Sequence, residues 1–109
     1  MADRKPPRHL STASAAWYSA VVEAYELEDW QHRTLTVAAE AFDRLVQARG
    51  LVDAEGLTIE DRFGQSRAHP ALAIERDSRI AYLRAVRELN LEVEDPSQPP
   101  RPPRRGGRR

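Results

Sequence analysis

The side chains that could do chemistry in this chain are three histidines, many carboxylates and sixteen arginines. His9, His32 and His69 are too scattered to form a metal-ligand motif, and the chain contains no cysteine. It also lacks a Gly-Lys-Ser/Thr phosphate loop, and its carboxylates occur at ion-pair spacings without a nucleophile beside a base. We therefore expect a protein that is not an enzyme and that needs no cofactor and no metal.

Arginine is the residue type whose placement indicates a function. The formal net charge is zero, but residues 1–10 carry +2, residues 11–95 carry −7 and residues 96–109 carry +5. An acidic body thus joins two basic ends, and guanidinium groups bind phosphate in bidentate fashion. We expect these ends to bind DNA, although tails that are simply solvated would have the same composition. The last segment, PSQPPRPPRRGGRR, is typical of a nonspecific nucleic-acid tail or of a docking peptide.

Two helices are predicted in the first half of the chain. Ser11 or Thr12 is a suitable N-cap for the first. Its apolar face would be formed by Ala16, Trp17, Ala20, Val21 and Ala24, with Trp17 and Tyr25 as core residues. The second helix is predicted from Glu28 or Asp29 to Ala48, with Gly50 just past its end. The acids near its start, Glu26, Glu28 and Asp29, argue against a DNA-reading helix-turn-helix, because phosphates would repel them.

The apolar seam of the second helix is wider than one partner helix can cover. Leu35, Ala38, Phe42 and Leu45 have the 3-4-3 spacing of a helix packed nearly antiparallel on another. Val37, Ala41 and Val46 widen the seam. A second partner surface is therefore expected, either the third helix or a neighbouring subunit.

A short β-hairpin is predicted between the second and third helices. Residues 57–59 and 66–68 are the strand candidates, and the turn lies between them at 61–64. Phe63 and Ile59 would pack the hairpin onto the body, and Arg62 and Arg67 would project toward a ligand or an adjacent subunit. An irregular loop is the alternative.

The third helix has the clearest end signals in the chain. Pro70 suits a first helical turn, His69 before it suits an N-cap, and Asn90 tolerates the left-handed conformation that ends a helix. The apolar residues Leu72, Tyr82, Leu83, Val86 and Leu89 spread over a wide arc, and Arg76, Arg84 and Arg87 border this arc close to Ile80. Subunit contact is the preferred use of this arc, and an intramolecular core with arginine rims is the alternative.

The order of these features resembles the small subunits of tailed-phage terminases. The residues that carry the resemblance are His69-Pro70, the charged helix that closes on 87–91, the run 38–44, Trp17 and Tyr25. Together they span roughly residues 10 to 91. The resemblance implies a ring of subunits that recognises double-stranded viral DNA in the host bacterial cytoplasm. It also implies delivery of that DNA to the terminase large subunit, whose ATPase and nuclease activities the ring regulates.

The expected organisation is a mostly α, three-helix domain at residues 10–91 between disordered tails at 1–9 and 92–109, with no membrane segment. Expected DNA-binding residues are Arg4, Lys5, Arg8, Arg62, Arg67, Arg101, Arg104, Arg105, Arg108 and Arg109. Expected subunit-interface residues are Phe42, Leu45, Ile80, Leu83, Val86 and Arg87. Two alternatives are a small dimeric helical transcription regulator and a helical adaptor without a DNA role.

Overall fold

The computed structural model describes residues 4–91 and 102–105 of the chain. Its elements are α1 (Thr12–Ala24), α2 (Asp29–Glu55), β1 (Thr58–Glu60), β2 (Ser66–Ala68) and α3 (Pro70–Leu89). The predicted mostly helical fold, with three helices and a two-stranded hairpin before the last, is confirmed for these residues. The shape is elongated, with principal extents of 60, 32 and 21 Å.

Asp43 of α2 fixes the start of α1. Ser11 is the N-cap, and its hydroxyl accepts a hydrogen bond from the Ser14 N–H. The Asp43 carboxylate accepts from the Ser11 N–H at 2.8 Å and from the Ser11 and Ser14 hydroxyls, each at 2.6 Å. Burial raises the pKa of the Asp43 carboxyl, but these hydrogen bonds outweigh burial and hold the pKa below its usual 3.8. The beginning of α1 is thereby tied to the middle of α2.

The predicted apolar face of α1 is wrong by part of a turn. Ala16 and Ala20 are exposed, whereas Tyr18 is only 2% exposed and lies in the main core. The buried stripe runs through Ser14, Tyr18, Val21, Val22 and Tyr25 at helical spacing. The Ser14 hydroxyl donates to Asp43, so this polar side chain can lie on the buried face of α1. The buried face therefore differs from the one that hydrophobicity alone predicts. The main core also contains Leu10, Leu35, Ala39, Leu89 and Leu91.

The predicted end of α2 is also wrong, because the helix continues through Gly50 to Glu55. Beyond Gly50, Val52 packs with Ala48 and with Ala71 of α3 in a second, smaller core. A glycine inside a helix costs about 1 kcal/mol, and burying a valine contributes about 1.5 kcal/mol or more, so the helix continues. The helix ends instead at Gly56, whose φ of 91° and ψ of 171° suit glycine almost alone.

The predicted hairpin is confirmed, but the packing of Phe63 is not. The strands pair antiparallel with Ile59 opposite Arg67. Asp61 organises the turn by accepting hydrogen bonds from the Phe63 and Gln65 N–H groups and from the Arg67 side chain. Phe63 is 74% exposed, because it stands in the turn rather than on a strand face.

The predicted ends of α3 are confirmed. The His69 ring accepts a hydrogen bond from the Ala71 N–H at Nδ1, and its Nε2 lies 2.6 Å from Glu55 at the end of α2. Asn90 closes the helix in the left-handed region, with a φ of 52°. The seam of α2 packs as predicted at Leu35, Ala38 and Leu45, all buried.

Two glycine substitutions test the revised end of α2. We expect Gly50→Ala to raise the free energy of unfolding by about 0.5–1 kcal/mol, because an added methyl group at Gly50 meets no atom within 4 Å and alanine favours the helix. We expect Gly56→Ala to lower it by about 1–3 kcal/mol, because of its positive φ. Urea unfolding of the two variants measures both effects. If Gly50→Ala lowered the free energy of unfolding and Gly56→Ala raised it, the helix would end at Gly50.

Candidate functional site

The N-terminal basic segment lies along α2. Arg4 lies 3.5 Å from Asp29 in the first turn of α2, and the His9 ring lies 2.7 Å from Glu40 three turns further on. Lys5 and Arg8 lie between these two contacts in the sequence, and both are exposed. The disorder predicted for residues 1–9 is not confirmed for residues 4–9, and residues 1–3 lie outside the described part.

A short piece of the C-terminal segment also lies against the body. Pro103 accepts a hydrogen bond through its carbonyl from the Glu26 N–H at 2.7 Å, and the Arg105 N–H donates to the carbonyl of Ala24. Arg104 forms an antiparallel bridge with Tyr25. The predicted disorder of the C-terminal tail is not confirmed for residues 102–105. The rest of that tail, including Arg101, Arg108 and Arg109, lies outside the described residues.

Arg4 of the N-terminal segment and Arg105 of the C-terminal segment both affect the pKa of His32. Burial is the main cause that lowers its pKa below the usual 6.5, and the positive charges of Arg4 and Arg105 lower it further. The Asp29 carboxylate acts in the opposite direction. Arg4 and Arg105, which are about a hundred residues apart in the sequence, therefore lie near one imidazole ring. We call the described cations of the two terminal segments, Arg4, Lys5, Arg8, Arg104 and Arg105, the basic corner, and of these Arg4 and Arg105 lie near His32.

The other two described arginines of the predicted DNA-binding set lie far from this corner. Arg67 lies 2.6 Å from Asp61, and the Arg62 guanidinium lies 5.1 Å from the centre of the Phe63 ring. Both belong to the hairpin region beyond Glu55, and the length of α2 from His32 to Glu55 is about 35 Å at 1.5 Å per residue. The predicted set is thus divided between opposite ends of the molecule.

The cations of the basic corner differ in how firmly the body holds them. Among the described residues, Arg4 pairs with the exposed Asp29, and such surface pairs contribute about 0–1 kcal/mol. Arg104 donates to the Tyr25 hydroxyl at 3.0 Å, and Arg105 donates through Nε to the carbonyl of Val22 at 2.6 Å. The Lys5 and Arg8 side chains are exposed and are therefore accessible to a phosphate.

The predicted subunit-interface residues are partly internal. Leu45 is buried between the helices and Val86 is half-buried, whereas Phe42, Ile80 and Leu83 are 38%, 48% and 57% exposed. Along α3, Ile80 and Leu83 lie between Arg76 and Arg87 at 4-3-4 spacing, so these four residues form one stripe, which we call the outer stripe. Val37 and Val46, which were predicted to widen the seam of α2 toward a second partner, are also exposed. The exposed apolar residues that were not predicted as subunit contacts are Trp30, Leu51, Leu57, Phe63 and Ile74.

An apolar cavity opens where the three helices meet. It has a volume of about 160 Å³ and is lined by Ala13, Ser14, Trp17, Phe42 and Tyr82. The Tyr82 ring centre lies 5.2 Å from that of Phe42 and 6.0 Å from that of Trp17. Trp17 was predicted as core, but it is only half-buried at the edge of this cavity.

Chemical and evolutionary comparisons add little to this geometry. Within residues 4–91 and 102–105, no group of three or more histidine, aspartate or glutamate side chains could hold a metal ion. None of the described helices combines the length and apolar character needed to cross a membrane. No protein-family model, curated protein or solved structure matches the chain.

The pKa of His32 tests the meeting of the two basic segments. We expect Arg4→Gln or Arg105→Gln to raise this pKa toward 6.5, because each substitution removes a cation that disfavours the charged imidazolium. Asp29→Asn should lower it, because the carboxylate favours the imidazolium. An NMR titration of the ring protons measures both shifts, with Arg44→Gln as the control. If the His32 pKa were unchanged by both Arg4→Gln and Arg105→Gln, neither basic segment would lie close to His32.

Proposed function

We propose that the chain is the non-catalytic DNA-binding small subunit of a viral terminase. Several copies would assemble into a ring-like oligomer, bind phage DNA and deliver it to the large ATPase and nuclease subunit for packaging. The observation that carries the proposal is that exposed apolar side chains and a basic corner occur together on an elongated subunit with an acidic body. The resemblance of residues 10 to 91 to terminase small subunits supplies the biological setting.

Self-association is supported by the amount of apolar surface that one copy leaves uncovered. Ten large hydrophobic residues of the described part are exposed, and Ile80 and Leu83 are neighbours on the outer stripe. Small domains bury a low fraction of their surface, so a 109-residue chain gains stability when a second copy covers such residues. The arginines at the two ends of the outer stripe suit the rim of a protein interface, where arginine is common.

DNA binding is supported by the position of the basic corner. Arg4 lies 3.5 Å from Asp29 in the first turn of α2, Arg4 and Arg105 both lie near His32, and Lys5 and Arg8 are exposed. Residues 11–95 carry −7, so phosphates would be bound by the terminal cations and not by the acidic body. The proposed binding is nonspecific in character, because arginine and lysine would contact phosphates rather than bases.

A small dimeric DNA-binding transcription regulator is the second candidate. The short turn between α1 and α2 favours it, because residues 25–28 join two helices and the basic corner lies beside them. The two candidates differ in stoichiometry, since a regulator of this kind would be a dimer and a terminase small subunit a larger ring.

The oligomer mass is the first test of the proposal. We expect light scattering of the purified chain to give a mass of many subunits. Ile80→Glu combined with Leu83→Glu should reduce this mass to that of a smaller species, because both charges would enter the apolar contact. Ala81→Glu, also exposed on α3, serves as the control. A dimer would favour the regulator, and a monomer at micromolar concentration would contradict both candidates.

The salt dependence of DNA binding is the second test. We expect Lys5→Gln combined with Arg8→Gln to reduce the log–log salt slope by up to about 1.8, because each lost phosphate contact contributes about 0.9. The matched control is Arg44→Gln combined with Arg49→Gln, which removes two exposed charges from α2 outside both proposed surfaces. Fluorescence anisotropy with a DNA duplex at several salt concentrations gives the slope. Equal slopes for the wild type and the Lys5/Arg8 variant would place the DNA contact elsewhere.

A further inference from the structure

The chain contains the triplet Pro-Pro-Arg three times, at residues 6–8, 99–101 and 102–104. Only the last copy is followed by a second arginine, Arg105. This copy is the one that lies against the turn between α1 and α2. Beside this contact, Pro102 and Pro103 line a pocket together with Glu26, Leu27, Glu28, Trp30 and Gln31, and we call the surface of the turn against which the segment lies the turn groove.

The backbone of residues 103–105 forms hydrogen bonds with the turn in the manner of an added β-strand. The Glu26 N–H donates to the carbonyl of Pro103, and the Arg105 N–H donates to the carbonyl of Ala24. Proline has no N–H, so Pro103 can pair only through its carbonyl, whereas Arg105 can donate its N–H. Pro102 is buried at the entrance to the groove.

Both arginine side chains contact the end of α1. Arg104 donates to the Tyr25 hydroxyl, and its guanidinium carbon lies 5.1 Å from the centre of the Tyr25 ring. Arg105 donates through Nε to the carbonyl of Val22, one of the acceptors that a helix leaves unpaired at its end. The last turn of α1 contains no basic residue of its own. Arg105 supplies the cation that the negative end of the helix dipole favours.

The contacts require Pro-Pro-Arg-Arg rather than any basic, proline-rich sequence. If the segment moved by one triplet, Pro99-Pro100-Arg101 would occupy the groove and Pro102 would take the place of Arg105. Pro102 has neither an N–H for the Ala24 carbonyl nor a guanidinium for the Val22 carbonyl. The shifted register would lose two hydrogen bonds, and the proline chemistry alone would not replace them.

We propose that the turn groove is a binding site for a Pro-Pro-Arg-Arg segment and that a second copy of this chain can supply the segment. Tyr25 donates its hydroxyl hydrogen to the Leu91 carbonyl at 2.7 Å while it accepts from Arg104. Leu91 and Arg104, which precede and follow residues 92–101 in the sequence, therefore contact the same hydroxyl. Ten residues can extend over about 33 Å or more, so this connection is also long enough to reach a neighbouring copy. The acidic groove walls, Glu26 and Glu28, complement the two arginines.

A peptide-binding experiment tests the specificity of the groove without reference to DNA. The protein is the full chain with Arg104→Ala and Arg105→Ala, which vacates its own groove. We expect a labelled peptide with the sequence of residues 99–105 to bind this variant, as measured by fluorescence anisotropy. A peptide of the same composition in shuffled order should bind at least about tenfold more weakly, because a charged hydrogen bond alone contributes that factor. The same loss is expected for a peptide in which the residue equivalent to Arg105 is proline.

The outcomes separate specific recognition from simple charge attraction. No binding, or equal binding of the native and shuffled peptides, would overturn the proposal. For the second copy, the immobilised double variant should retain the wild-type chain more strongly than it retains the double variant itself, because only the wild type carries an intact segment. Equal retention of the two would overturn exchange between copies. The peptide-binding results do not depend on whether the chain binds DNA or forms a ring.

Discussion

The difference in length between α1 and α2 determines most of this structure. The thirteen residues of α1 extend over about 20 Å, whereas the twenty-seven of α2 extend over about 40 Å. Because Asp43 fixes the start of α1 at the middle of α2, α1 covers only the first half of α2. The second half has α3 as its main partner and a core that includes Ala48, Val52 and Ala71. Exposed apolar residues such as Val46 and Ile74 follow from this mismatch, because no third helix covers them.

The sequence predicts those features that are set by neighbouring residues. The starts of α1 and α3, the cap at Asn90 and the hairpin were all predicted correctly, since each depends on a few adjacent side chains. The end of α2 was predicted wrongly, because Gly50 lowers helix stability by less than the burial of Val52 against α3 raises it. That burial depends on residues that are distant in the sequence. The rotation of α1 was missed for a similar reason, since it depends on a hydrogen bond from Ser14 to Asp43, 29 residues away.

The candidate site could be predicted in composition but not in arrangement. The charge pattern predicts DNA binding for the arginines of the basic corner and also for those of the hairpin, about 35 Å away, so it does not distinguish the two groups. Composition also predicted disorder for residues 102–105, because prolines and arginines bury little apolar surface. Their position depends instead on two carbonyls at the end of α1 and on the Tyr25 hydroxyl, and no local pattern near Arg104 reveals these acceptors.

The cations of the basic corner are therefore of two kinds. The guanidinium groups of Arg104 and Arg105 are engaged by Tyr25 and Val22, so either group must exchange a hydrogen bond within the chain for one with a phosphate. Lys5 and Arg8 are exposed, and a phosphate can reach them while the C-terminal segment stays in the turn groove. A cation at a helix end is worth about 0.3–1 kcal/mol, and several phosphate contacts together exceed this value at low salt. Under the proposed function, a polyanion would therefore bind Lys5 and Arg8 before it binds Arg104 and Arg105.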